Sequence, residues 1–334
     1  MSELTEAQKR DQMELTMSLK RLHIPNVTFG FIVRRISGQG RGVFATMAIP
    51  RGACLMAEEA LFSVDDVQEP YSRYNKVTIK RGASDNPQFQ DLVCTANPPT
   101  DESRFETNNF EMGEDRDGGK TYGIFFQASR FNHSCVPNAY FAWNAELDNG
   151  QGRLTIYAIR DIRASEEILI NYRIKDCYKL KDARQAKLND KYGFVCNCQA
   201  CRRQPGHQLG VKSDERRGRM QALQTKIDRN RDLNTPSERQ VKRENINKLI
   251  DNLKQEGLIY PKLADALDEL GKLAHKELRV ARTQSAMSVT AYISDCHNSA
   301  LQIAREKLDL DVRCNGSKSP VVMEALEFIR NLDH

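Results

Sequence analysis

The sequence predicts an α+β protein with a β-rich first two-thirds and an all-helical last third. Two observations carry that reading. From Val27 to about Tyr172, short runs rich in Val, Ile, Phe, Tyr and Thr alternate with turns built on Gly and Pro, which is strand chemistry. After Lys175 the strand signals fade, and apolar residues recur at i, i+3, i+4 and i+7, the period of a helix with one buried face. At 334 residues the chain also exceeds one ordinary domain, so two units are expected.

The elements follow in order. Residues 1–25 read as an N-terminal amphipathic helix, with Leu15, Leu19 and Leu22 on one face and Pro25 ending it. TFGFIVRR and RGVFATMAI are strands split by Gly38, Gln39 and Gly40. Pro50, Arg51 and Gly52 turn the chain into ACLMAEEALFSV, expected as one further strand. Residues 65–120 are polar, hold Pro70, Pro87, Pro98 and Pro99, and read as an insertion of mixed helix and loop. Strands return at YFAWN and RLTIYAI, and EILINY is expected as a strand after a turn at Asp161–Glu166. A short helix at 176–191 leads into YGFVCNCQAC. Four to six helices then follow as antiparallel hairpins, with Ile246, Leu249, Ile250 and Leu253, then Leu263, Ala266, Leu267, Leu270 and Ala274, and later Ala300, Ala304 and Leu308 as their inner faces.

Composition narrows the function. Apolar residues make up 40% and charged residues 28%, a globular balance. No stretch approaches the ~20 apolar residues of a membrane helix. The opening MSELTEAQKRDQMELTMSLKR lacks the apolar core of a secretory signal, so the cytoplasm or nucleus is the expected location. Nine cysteines, an odd number in a long chain, do not form a disulfide framework in a reducing compartment. Residues 202–248 carry thirteen Lys/Arg against six Asp/Glu, an excess larger than the net charge of +5. The stretch fits a solvated helix surface. It has no aromatic interleaving, so direct nucleic-acid binding is not expected.

Cys196, Cys198 and Cys201 form C-x-C-x-x-C, three thiols at a spacing that suits a tetrahedral metal such as zinc. A closed site needs a fourth ligand, and Cys135, Cys177, Cys94, His207 or another cysteine could supply it. Ser129-Arg130-Phe131-Asn132-His133-Ser134-Cys135-Val136-Pro137-Asn138 packs polar residues between apolar runs. Such density implies a ligand-facing loop or a buried hydrogen-bond knot.

SRFNHSCVPN, EEILINY and YGFVCNCQAC, preceded by SGQGRGVFATMAIPRGACLMAEE, closely resemble the SET domain of S-adenosylmethionine-dependent protein-lysine methyltransferases. The four motifs keep that family's order between residues 36 and 201. The C-x-C-x-x-C and helical tail look most like the SET-and-MYND branch and its fungal relatives. Residues 65–120 hold only Cys94 and no histidine, so the MYND zinc finger of that branch is missing.

The resemblance implies a SET fold with its pseudoknot at residues 26–175, a zinc-bound post-SET segment at 176–206 and a helical domain at 207–334. It implies that Arg41, Asn108, Asn132, His133 and Phe194 bind S-adenosylmethionine, with Phe194 stacked on adenine. Tyr172 would be the catalytic tyrosine and Tyr192 would line the lysine channel. Cys135 would complete a Zn2+ site with Cys196, Cys198 and Cys201. The expected substrate is a protein lysine, histone or otherwise, with no membrane partner and a monomeric enzyme. Two rivals stand beside this reading: a non-catalytic SET scaffold, and a SET fold redirected to a small molecule. Taken singly, Tyr172 also fits a core tyrosine, and Phe194 a core phenylalanine.

Overall fold

The structure, a computed structural model, describes residues 30–37, 40–66, 85–114, 119–202, 209–230, 233–283, 290–317 and 319–332. The N-terminal helix expected at residues 1–25 lies outside them. Two compact units emerge. One draws on Met1–Ser134, Asn138–Ile170 and Gln185–Cys196, the other on Cys135–Pro137, Asn171–Arg184 and Asn197–His334.

The first unit is built from short sheets. β1 (Phe31–Ile36) and β2 (Gly40–Ala45) pair antiparallel, with Gly40 at φ 80° where the chain re-enters the ladder, a conformation glycine adopts without strain. β3 (Cys54–Glu58), β9 (Arg153–Ala158) and β8 (Ala139–Asn144) form one three-stranded sheet, with β9 in the centre. Five of the six β9 residues are buried, Arg153 and Thr155 among them, so that strand is covered on both faces. β4 (Phe62–Asp66), β6 (Lys120–Ile124) and β5 (Asn109–Glu114) form a second antiparallel sheet. Phe89, Phe105, Tyr122 and Ile124 make its core, supplied in part by α1 (Pro87–Gln90) and α2 (Asp101–Asn108).

Three expectations need correction here. ACLMAEEALFSV is two strands, because β3 pairs with β9 while Leu61 and β4 turn away to pair with Ile124 and β6. The 65–120 insertion is more than helix and loop: β5 lies inside it and returns to pair with β6. EILINY shrinks to β10 (Leu169–Ile170), which pairs parallel with β7 (Asn132–His133). The reason is that this segment changes partners. Ile168 N–H bonds the Val43 carbonyl at 2.7 Å, and the next residues bond the 132–138 loop, so no single ladder runs long. These crossed pairings are the knot-like centre that the resemblance implies.

The second unit is helical. After α3 (Leu147–Gly150), a single turn between β8 and β9, and α4 (Lys181–Tyr192) come α5 (Leu209–Arg229), α6 (Pro236–Glu256), α7 (Lys262–Arg282), α8 (Thr290–Asn315) and α9 (Pro320–Leu332), with consecutive members of these last five packed on one another. α6 shows why such sequences start and stop where they do. Thr235 Oγ1 accepts the Glu238 N–H at 3.2 Å, Glu238 Oε2 accepts the Thr235 N–H at 2.8 Å, and Pro236 fills the first turn. Gly257 closes the helix at φ 77°. The residues read as inner faces are buried, except Leu308, which is half-buried. The basic stretch is partly consumed inside this unit. Arg216 and Arg217 bond Glu256, Lys242 pairs with Glu269, Arg243 with Glu277, and Arg239 binds two backbone carbonyls.

Candidate functional site

The Asn132–His133 pair sits on β7, in register with Leu169 and Ile170. Its neighbour Asn138 is 1% exposed and uses its whole amide. Nδ2 donates to Glu166 Oε1 at 3.0 Å and to the Glu167 carbonyl at 2.8 Å, while Oδ1 accepts the Leu169 N–H at 2.7 Å. Of the two readings of the SRFNHSCVPN loop, Asn138 is therefore the buried hydrogen-bond knot. It locks the loop onto the segment that leads to Tyr172.

Asn132 is half-buried and points its chemistry elsewhere. Nδ2 donates to the Arg41 carbonyl at 3.0 Å and to Glu167 Oε1 at 2.8 Å. Both amide hydrogens are thus committed within the protein, and Oδ1 accepts no bond among the described residues. Such an oriented acceptor suits an ammonium group. Gly42 makes the arrangement possible: a Cβ there would lie 2.6 Å from Glu167 Oε1 and 2.8 Å from Asn132 Nδ2. The glycine that the sequence places beside Arg41 is needed for protein atoms to approach one another.

Arg41 itself reaches Asp91, which also holds Arg130 at 2.6 Å. Burial would raise the Asp91 carboxyl, but the hydrogen bonds and charges of Arg41 and Arg130 outweigh it and hold it below the ordinary range. Asn108 is buried and gives Nδ2 to the Val93 and Arg104 carbonyls, each at 2.7 Å, so it ties α2 to the loop before it.

Three aromatic candidates come together. The His133 and Phe194 rings are 6.0 Å apart at 53°, and Phe194 lies 6.4 Å from Tyr192 at 47°. All three are half-buried, so the row keeps partial access to solvent. Tyr172 is the second residue past β10, within about 7 Å of chain from the Ile170 and His133 register pair. Beside it Asn171 is buried, and its Oδ1 accepts the Arg173 N–H at 2.8 Å.

The four cysteines named by the resemblance converge. One sulfur each from Cys135, Cys196, Cys198 and Cys201 lies within 4.8 Å of the others. Cys135 and Cys201 are 3.6 Å apart, close to the ~3.8 Å expected between sulfurs on a tetrahedral zinc with 2.3 Å bonds, and far beyond a disulfide. The other candidates are elsewhere: Cys94 bonds backbone carbonyls beside α2, and Cys177 lies in the helical core, where burial pushes its thiol up to about 11. His207 lies outside the described residues. The donor set is all soft sulfur with cationic support. Arg184 donates to Cys201 Sγ at 3.5 Å and to the Ala200 carbonyl at 3.3 Å. Gln185 fixes Cys196 by a reciprocal pair, Nε2 to its carbonyl at 2.6 Å and Oε1 from its N–H at 2.8 Å. This outer layer fits a structural metal.

Several contributors escape sequence reading. Glu167 orients Asn132, and the EEILINY motif contains it without marking it out. Asp91 carries no signal at all, because it lies in the polar insertion, fifty residues from Arg41. Glu58, at the end of β3, accepts the N–H groups of Gln127 and Ala128 at 2.8 and 2.9 Å and so fixes the entry to the Asn132 loop. Burial pushes its carboxyl up to about 7, against the lowering effect of those N–H groups and of Arg130.

The crossed short strands, the Asn-His strand paired to the Tyr-bearing segment and the four-cysteine cluster are the layout of a SET domain. Residues 40–173 match the family model described as SET domain, so this part of the chain is a SET domain. Its relatives include proteins named as histone-lysine and protein-lysine methyltransferases. It is 32% identical over 167 residues to the histone-lysine N-methyltransferase set5 of Schizosaccharomyces pombe, covering 50% of this chain and 48% of that one. It is 38% identical over 82 residues to the protein-lysine N-trimethyltransferase SMYD5 of Danio rerio, covering 24% of this chain and 18% of that one. It is 35% identical over 85 residues to the histone-lysine N-methyltransferase ATXR4 of Arabidopsis thaliana, covering 25% and 24%. The chain thus spans about half or less of these relatives. Among the described residues, no helix is long and apolar enough to cross a membrane.

Proposed function

We propose that this chain transfers methyl groups from S-adenosylmethionine to lysine side chains of proteins. The parallel pairing of β7 with β10 carries the reading, because it sets Asn132 and His133 beside the segment that ends in Tyr172. When bound, the cofactor supplies an electrophilic methyl on a sulfonium. Asn132 Oδ1 would receive its ammonium group, and the half-buried His133 and Phe194 rings would receive its adenine. The Arg41 backbone borders it, and Asn108 sets the neighbouring loop.

The attacking lysine must be neutral, whereas a free lysine titrates near ~10.4. An apolar channel lined by Tyr192 lowers that value, and the Tyr172 hydroxyl accepts an amine hydrogen and aims the lone pair. On transfer the amine nitrogen would gain the methyl as the donor's carbon–sulfur bond broke, and the surplus proton would leave to water. Cys135, Cys196, Cys198 and Cys201 would hold a structural zinc between their converging sulfurs. On this reading the SET domain runs over 26–175, the post-SET segment over 176–206 and the helical domain over 207–334. The substrates are histones or other proteins, met in the nucleus or cytoplasm by a monomer.

The test is tritiated methyl transfer from S-adenosylmethionine to core histones and a protein panel, using the full chain and Tyr172→Phe. The expected result is label on lysine, with kcat falling about 100-fold in the variant while calorimetric cofactor affinity stays within about twofold. Equal labelling by both forms removes Tyr172 from the mechanism. Cofactor binding without any labelling overturns the enzyme reading in favour of a scaffold.

A further inference from the structure

We propose that Arg217, on helix α5, is a positioning residue that holds both chain segments leading out of the site, an inference that rests on the methyltransferase reading above. Arg217 is fully buried. Its Nη2 donates to the carbonyl of Cys135 at 3.0 Å, and its Nη1 donates to the carbonyl of Cys177. Cys135 is the second residue after His133, and Cys177 the fifth after Tyr172. One guanidinium therefore grips the chain just past the cofactor loop and just past the catalytic tyrosine.

Neither carbonyl belongs to a strand or a helix ladder, so each needs an external donor once buried. A charged donor in the interior is tolerated only with a partner, and Glu256 provides it. Arg217 Nε bonds Glu256 Oε1 at 3.0 Å and Ser213 Oγ at 3.2 Å, and Arg216 Nε bonds Glu256 Oε2 at 2.6 Å. Glu256 and Gly257 close helix α6, and a Cβ on Gly257 would lie 3.0 Å from Val136, next to Cys135. Two helix surfaces thus meet the same loop. The flat, forked guanidinium suits this position because it presents separate N–H groups to two carbonyls and a carboxylate at fixed angles, which an ammonium cannot. Cys135 is also a proposed metal ligand, so Arg217 stands in that metal's outer layer.

The test is hydrogen exchange by mass spectrometry on the full chain, followed over peptides from residues 131–138 and 172–178. Arg217→Met is compared with Arg239→Met. Arg239 is another buried arginine of the helical unit, and it bonds the Leu233 and Asn234 carbonyls at 2.9 and 3.0 Å. Arg217→Met should speed exchange in both segments about 10-fold and lower kcat about 10-fold, leaving KM for the protein substrate within about twofold. Arg239→Met, at an equal loss of melting temperature, should leave both segments at the wild-type rate. Should Arg217→Met not fold, Arg217→Lys keeps the charge opposite Glu256 but not the second carbonyl, and should loosen one or both segments. The proposal is overturned if Arg217→Met, or Arg217→Lys in its place, leaves the two segments at wild-type exchange, or if Arg239→Met loosens them equally. Exchange requires neither cofactor nor substrate. A wild type that transfers no methyl would therefore defeat the methyltransferase reading while the exchange data still decided what Arg217 holds.

Discussion

In the first unit the chain is knotted by an uncharged amide, Asn138, which bonds three neighbours within the segment from Glu166 to Leu169. In the second unit a comparable knot is tied by a full charge, Arg217, balanced by Glu256 and shared with Arg216 and Ser213. Both groups are almost completely buried. Both serve loops that a sheet or helix ladder cannot serve. An amide carries a donor and an acceptor on one short side chain, so it can pair with a neighbouring strand without a counter-ion. A guanidinium reaches further and donates more, but its charge obliges the fold to bury an acid with it. The short reach suits loops already held side by side by β7 and β10, and the long reach suits loops gripped from a helix.

That contrast can be broken by mutation. Glu256→Ala should cost about 3–5 kcal/mol in urea unfolding, because it strands the Arg217 charge in the interior. Asn138→Ala should cost about 3 kcal/mol, since the Leu169 N–H and the Glu167 carbonyl lose partners, but no charge is orphaned. If Asn138→Ala proved the costlier of the two, the charged knot would have to be wetter than its 1% side-chain exposure at Glu256 implies.

The same contrast governs what the sequence could reveal. Asn138 is legible because the knot closes within one dense motif and a second motif, and both carry the family resemblance. The cysteine cluster is legible for a similar reason: three of its members lie in C-x-C-x-x-C, although the choice of Cys135 over Cys177 or Cys94 came from the resemblance. Arg217 gives no local sign. Its partners lie 39, 40 and 82 residues away, and in the sequence it is one of thirteen basic residues in a stretch that resembles solvated surface. Asp91 is hidden in the same way. Helix faces were legible from their period, whereas EILINY was not, because alternation cannot show that a strand exchanges partners after two residues.

Glu58 is a middle case between the two knots: a carboxyl whose bonds go to backbone N–H groups, with Arg130 as its attractive charge. Its folded value, about 7, stands above the ordinary 4.5. Between those limits the unfolded chain has released the proton and the folded chain still holds it. Folding therefore takes up a proton, and the Glu58 contribution to stability falls as pH rises through the window, levelling off above it. Glu58→Gln keeps the shape and cannot titrate. The stability difference, wild type minus variant, should shrink by about 2 kcal/mol between about pH 5.5 and about pH 8, most of it below about pH 7. Urea midpoints for both proteins across that range check it. A difference that is flat from about pH 5.5 upward would mean that Glu58 is ionised throughout and that Arg130 compensates its charge.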